Sequence, residues 1–156
     1  MDNVNPIFER VYVAGHAGMV GSAILRRMKE LGLPDPITAT RSEVDLLDQA
    51  AVRAFIADTK PTSVIVAAAK VGGIEANRTQ PADFLYENLV IATHLVDASF
   101  RAGIRHLMYL GSSCIFPRAA PQPMTEDALL TGPLEPTNEG YAVAKIAGIT
   151  MGNYIV

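Results

Sequence analysis

Hydrophobic residues along this chain come in two alternating formats: short unbroken runs, and longer stretches in which apolar positions recur at helical spacing. The run "RVYVAG" (10–15) predicts a strand ending in glycine, and "MVGSAILRRMKELG" (19–32) predicts a helix closed by Gly32. "PITAT" (36–40) predicts a second strand and "VDLL" (44–47) a short third one, followed by a helix from an Asp48 N-cap to Asp58. "SVIVAAA" (63–69) is nearly all apolar, as expected of a strand buried on both faces. "PADFLYENLVIATHLVDASFRAG" (81–103) predicts the longest helix, with proline at its start and glycine at its end. "IRHLMYLGSS" (104–113) predicts the next strand, and "NEGYAVAKIAGITMGNYI" (138–155) a last helix. Between them, the five prolines of 117–137 predict a loop. Strands and helices alternating in this order imply an α/β fold, a doubly wound parallel sheet with helices on both faces. No internal repeat, low-complexity segment or internal boundary appears, so residues 1–156 read as one domain.

Composition narrows the function classes. The 156 residues are 49% hydrophobic and 19% charged, which fits a folded globular domain rather than a disordered chain. A net charge of −3 with no basic block argues against nucleic-acid or anionic-membrane partners. The apolar run 63–69 is too short to span a bilayer, and the polar, acid-bearing start "MDNVNPIFER" is no signal peptide. One cysteine cannot form an internal disulfide, which points to a reducing compartment, the cytoplasm. The three histidines are scattered and no metal site is expected.

The first predicted strand runs straight into "GHAGMVG", setting Gly15, Gly18 and Gly21 in a G-x-x-G-x-x-G spacing. Such a turn lets backbone N–H groups approach a pyrophosphate at the helix N-terminus, and Gly21 lets the helix lie close against the strand. A tight glycine-rich turn is the plainer reading. The strand before and the helix after favour dinucleotide binding by Gly15, His16, Ala17, Gly18, Met19, Val20 and Gly21. An acid at the end of the second strand would bind the ribose 2′-OH of NAD, but "PITAT" leads into Arg41 and Ser42. A guanidinium can pair a 2′-phosphate bidentately, so NADP is the expected cofactor; the bland alternative is a solvated Arg41.

"GYAVAKIAG" puts Tyr141 and Lys145 four residues apart, on one face of a helix. An ammonium beside a phenol lowers its pKa and makes it a usable acid/base near neutral pH. A lone Y-x-x-x-K is common on ordinary helices. A serine, Ser112 or Ser113, at the C-terminal end of a parallel strand makes the combination far more specific, because ligands of such sheets bind there. The single cysteine, Cys114, follows directly and is either a core thiol or a group at the mouth of a site.

The stretches "AGHAGMVGSAI", "AAAKVGGIEAN", "QPADFLYEN", "LGSSCIFP" and "QPMTEDALLTGPLEPTNEGYAVAKIAGI" together resemble the extended short-chain dehydrogenases/reductases, with a Rossmann-like fold. Within them they resemble the GDP-L-fucose synthase family, 3,5-epimerase/4-reductases of GDP-4-keto-6-deoxy-mannose. The resemblance implies Ser112, Tyr141 and Lys145 as the catalytic triad of reduction and Cys114 as the acid/base of epimerisation. It extends the cofactor-lining set to Asp45 and Leu46, to Ala68 and Ala69 with the neighbouring Ala67 and Lys70, and to Leu110, Gly111, Ser112 and Ser113, with Tyr141 and Lys145 beside the nicotinamide. For Asp45 a turn residue is the equal alternative, His16 can simply fill space, and Asn88 is expected to have a local structural role. The implied partners are a GDP-sugar substrate and a second subunit, docked through the helices at 82–102 and 139–155.

Two departures temper the resemblance. Ala17 stands where the family usually has an arginine that helps hold the 2′-phosphate, which leaves NAD as an alternative cofactor. The family chain is also about twice as long, so this sequence is expected to be an incomplete nucleotide domain, lacking later strands, a second epimerisation group and the C-terminal substrate domain. Its last strand is expected to be exposed. Competing readings are another nucleotide-sugar 4-epimerase or 4-ketoreductase, and a non-catalytic NAD(P)-binding fragment.

Overall fold

The computed structural model describes residues 5–155. Its centre is a parallel sheet of three short strands, β1 (Val11–Ala14), β2 (Ser63–Val66) and β3 (His106–Tyr109), in the order β1-β2-β3. The register sets Ala14 beside Val66 and Val66 beside Tyr109, so the three strands end at one level. Around the sheet lie α1 (Met19–Glu30), α2 (Gln49–Thr59), α3 (Ile74–Thr79), α4 (Pro81–Arg101) and α5 (Glu139–Ile155).

All four residues of β1 are buried, which requires cover on both faces. On one face Tyr12, Ala14, Val64 and Val66 pack with Val52 and Ile56 of α2 and Leu95 and Ala98 of α4. On the other, Val11 and Val13 pack with Met28 of α1. This is the doubly wound α/β arrangement the alternating pattern predicts. β3 is the sheet edge, and Met108 on it is 58% exposed, as expected. No described helix is long and apolar enough to cross a membrane.

Several element boundaries differ from expectation. Residues 36–40 form no strand; only Ile37 bridges to Tyr12, accepting from Val13 N–H and donating to the Val11 carbonyl. Pro36 lacks an N–H to extend that ladder. On the other side the Glu43 carboxylate bonds both the amide and the hydroxyl of Thr40, curling the chain into a turn. Residues 44–47 are not a strand either. Asp45 Oδ1 accepts from Leu47 N–H, and Asp48 N–H bonds the Asp45 carbonyl, an Asx-type turn that leads to the Asp48 N-cap of α2. β2 and β3 are shorter than "SVIVAAA" and "IRHLMYLGSS" suggest, and α3 forms where the sequence pattern predicts no element. The helix ends were legible: Gly32 and Gly103 follow α1 and α4 with φ of +67° and +73°.

Candidate functional site: the strand ends of the parallel sheet

The strands stop together because their backbones are claimed by other partners. β1 turns away at Gly15, whose φ is +82°. Ala67 N–H makes one last bond to the Ala14 carbonyl, and Leu110 N–H one last bond to that of Val66. The loop after β2 is then held by Asn88, 2% exposed, which accepts from Lys70 N–H and donates to the Lys70 carbonyl. The Leu110 carbonyl accepts a 2.8 Å bond from Lys145 Nζ. The sheet thus presents three loop beginnings side by side, and β1 lies between the Ile37 bridge and β2, where the strand order reverses.

The glycine turn is built for close approach. A Cβ at Gly15 would lie 2.6 Å from Ala68 backbone atoms, and one at Gly21 would lie 2.2 Å from the Gly15 carbonyl oxygen. Only glycine permits either contact. Gly18 is the N-cap of α1 and offers no side-chain hydrogen bond to its first turn. The first amides of α1 are therefore left for an external acceptor. Above the turn is a cavity of about 300 Å³, lined by Gly15, His16, Ala17 and Gly18, by Arg41, Asp45 and Leu46, and by Glu87 and Ile91 of α4. The buried His16 Nδ1 has no hydrogen-bond partner among the described residues. A glycine cradle, an orphaned imidazole nitrogen and a guanidinium at one cavity fit a phosphorylated dinucleotide. Arg41 is exposed and only loosely paired with Asp45, at 3.6 Å.

The second group lies at the end of β3 and on α5. Cys114 Sγ donates to Ser112 Oγ at 3.2 Å, within a short 3₁₀ turn over 113–115. Lys145 is 3% exposed, its Nζ 4.6 Å from the centre of the Tyr109 ring and 5.8 Å from that of Tyr141. Burial pushes the Tyr141 phenol above its ordinary pKa, and the Cys114 charge adds to that shift. Burial pushes Lys145 down, with Cys114 opposing. The net direction for Tyr141 is thus upward, where the sequence predicts a downward shift. The ammonium is engaged by the Leu110 carbonyl, while desolvation dominates the phenol, so the phenol stays protonated at neutral pH.

The sequence-derived residues therefore fall into two groups, one at the end of β1 and one at the end of β3, with β2 between them. Gly15, His16, Ala17, Gly18, Arg41, Asp45 and Leu46 line the cavity. Ser112, Cys114, Tyr141 and Lys145 form the second group, with Leu110 holding Lys145 and Gly111 and Ser113 exposed beside it. Ala68 meets the glycine turn through its backbone, and Ala69 follows it in the loop. Met19 and Val20, the first residues of α1, are 87% and 46% exposed and are not among the residues lining the cavity. Glu87 was not foreshadowed: it bonds Lys70 across 17 residues of chain, and no local pattern marks such a pair.

Residues 11–155 match the NAD dependent epimerase/dehydratase family. The chain belongs to this family. Among curated relatives it is 56% identical over 142 residues to a putative GDP-L-fucose synthase 2 of Arabidopsis thaliana, covering 91% of this chain and 43% of that protein. It is 52% identical over 143 residues to the GDP-L-fucose synthase of Escherichia coli K12, covering 92% and 44%. A solved GDP-mannoheptose C4 reductase from Campylobacter jejuni with NADP bound has a TM-score of 0.88 at 36% identity, covering 93% of this chain and 46% of that one. The chain thus spans less than half the length of these relatives.

Proposed function

We propose that this chain carries the NADP-binding and reactive groups of an enzyme that converts GDP-4-keto-6-deoxy-mannose to GDP-L-fucose, by 3,5-epimerisation and then reduction at C4. The observation that carries the proposal is the thiol of Cys114 seated on Ser112, next to the Tyr141–Lys145 pair. The identities to GDP-L-fucose synthases support the substrate. The cradle of Gly15, Gly18 and Gly21 would hold the pyrophosphate, and Arg41 the 2′-phosphate. NADPH bound there supplies the hydride.

The residues divide the remaining work. The 4-ketone acidifies the protons on C3 and C5, so Cys114 as thiolate can take one of them. Electron density moves to the C4 oxygen, where the Ser112 hydroxyl donates a hydrogen bond. Inversion then needs a proton delivered to the opposite face of the carbon by a second acid, a role Cys114 on the first face cannot fill. In the reduction, Tyr141 gives its proton to the C4 oxygen as the hydride arrives, and Lys145 offsets the charge left on the phenolate. A second subunit would dock on α4 and α5, supported by the exposed Tyr86, Val143 and Tyr154 on these helices. The free cysteine supports a cytoplasmic setting.

A second reading, C4 reduction without epimerisation, is favoured by the likeness to the C4 reductase. The two separate in a chimera in which this chain replaces the matched segment of the Escherichia coli relative. The proposal predicts GDP-L-fucose from GDP-4-keto-6-deoxy-mannose. In Cys114→Ser, NADPH consumption should persist while GDP-L-fucose falls by about a hundredfold or more, giving a sugar reduced at C4 but not inverted. Unchanged GDP-L-fucose formation by the serine variant would remove Cys114 from the mechanism. NADPH consumption with no inverted product in the unsubstituted chimera would establish the plain reductase.

A further inference from the structure

The cavity over the glycine turn has an electrostatic difficulty. A dinucleotide brings several negative charges, yet two carboxylates, Asp45 and Glu87, line the same space. Each carboxylate has a basic partner. Asp45 faces Arg41 at 3.6 Å, and Glu87 Oε1 accepts from Lys70 Nζ at 2.6 Å. The two pairs are unequal. Arg41 and Asp45 are 75% and 44% exposed, whereas Lys70 and Glu87 are 26% and 28% exposed, so solvent screens the second pair least.

Lys70 is also fixed from more than one side. Asn88 clasps its backbone on both the N–H and the carbonyl. Its ammonium lies 5.4 Å from the centre of the Phe84 ring. α4 supplies Phe84, Glu87 and Asn88 within little more than one turn, so one face of this helix holds both the backbone and the ammonium of Lys70.

We propose that Lys70 is a charge-compensating positioning residue for the dinucleotide, holding Glu87 neutralised at the cavity wall so that an anionic cofactor can enter. This rests on the NADP reading above and adds to it a residue outside the glycine turn and the Ser/Tyr/Lys set. Backbone clasping by Asn88 does not depend on the residue type at 70, so Lys70→Met keeps the loop and removes only the charge. Glu87 would then stand unpaired against the ligand. Like charges in a partly desolvated setting repel strongly enough to cost about tenfold in affinity.

The test is NADPH binding to the 156-residue chain by fluorescence titration, with circular dichroism reporting the fold, in four forms: unsubstituted, Lys70→Met, Glu87→Gln, and both together. Lys70→Met should raise the Kd about tenfold, and the loss should shrink in high salt. Glu87→Gln should bind as well as the unsubstituted chain or better. The double variant should return to within about threefold of it, which a purely structural role for Lys70 would not produce. A double variant as weak as Lys70→Met would overturn the proposal and make Lys70 a loop anchor. Unaltered binding by Lys70→Met would overturn it too. A folded, unsubstituted chain that binds no NADPH would instead reject the cofactor reading and this inference with it.

Discussion

Tyr141→Phe should cut NADPH oxidation by the chimera about a thousandfold while changing the Kd for NADPH by less than about threefold. The phenylalanine keeps the ring beside Lys145, at 5.8 Å from Nζ, and deletes only the hydroxyl. A phenol is protonated at neutral pH and burial pushes it further that way, so its removal takes away a loaded acid and not merely a hydrogen bond. Stopped-flow absorbance of NADPH measures the rate and equilibrium fluorescence the affinity. A drop confined to KM would show that the phenol positions the substrate. A drop of less than tenfold would mean that another group delivers the proton.

Gly15→Val is the second large effect, and it acts on the cradle. Any side chain there meets two obstacles at once: a φ of +82°, and Ala68 backbone 2.6 Å from the new Cβ. The left-handed conformation alone costs about 1–3 kcal/mol for a side chain outside glycine, and more for a β-branched one. The backbone contact cannot be relieved by rotating a side chain. Relief requires β1 and the loop after β2 to separate, which disrupts the last ladder bond, Ala67 N–H to the Ala14 carbonyl at 2.9 Å. The expected result is loss of measurable NADPH binding and destabilisation by about 3 kcal/mol or more, read by urea denaturation. A variant of native stability that binds NADPH normally would show that the turn tolerates a different path and is not the pyrophosphate site.

The glycine turn, the helix ends and the doubly wound layering were legible because each rests on local chemistry: positive φ, an Asp48 cap, or a fully apolar run. Propensity in "PITAT" predicts a strand at 36–40 but cannot reveal that Glu43 captures Thr40 and stops the ladder at Ile37. "VDLL" likewise has strand propensity, but Asp45 closes a turn on Leu47 instead. The spacing of Tyr141 and Lys145 correctly placed them on one helix. Their charges could not be read from spacing, because the state of Tyr141 depends on how deeply the phenol is buried. The Lys70–Glu87 pair was hidden for a different reason: it is made between a loop and a helix and exists only once α4 has docked on β2.

The measurement that bears most directly on the account is titration of the folded 156-residue chain with NADPH and with NADH. The account predicts saturable binding of both, with NADPH tighter by about tenfold, and loss of that preference in Arg41→Ala. A folded chain that binds neither nucleotide would contradict it.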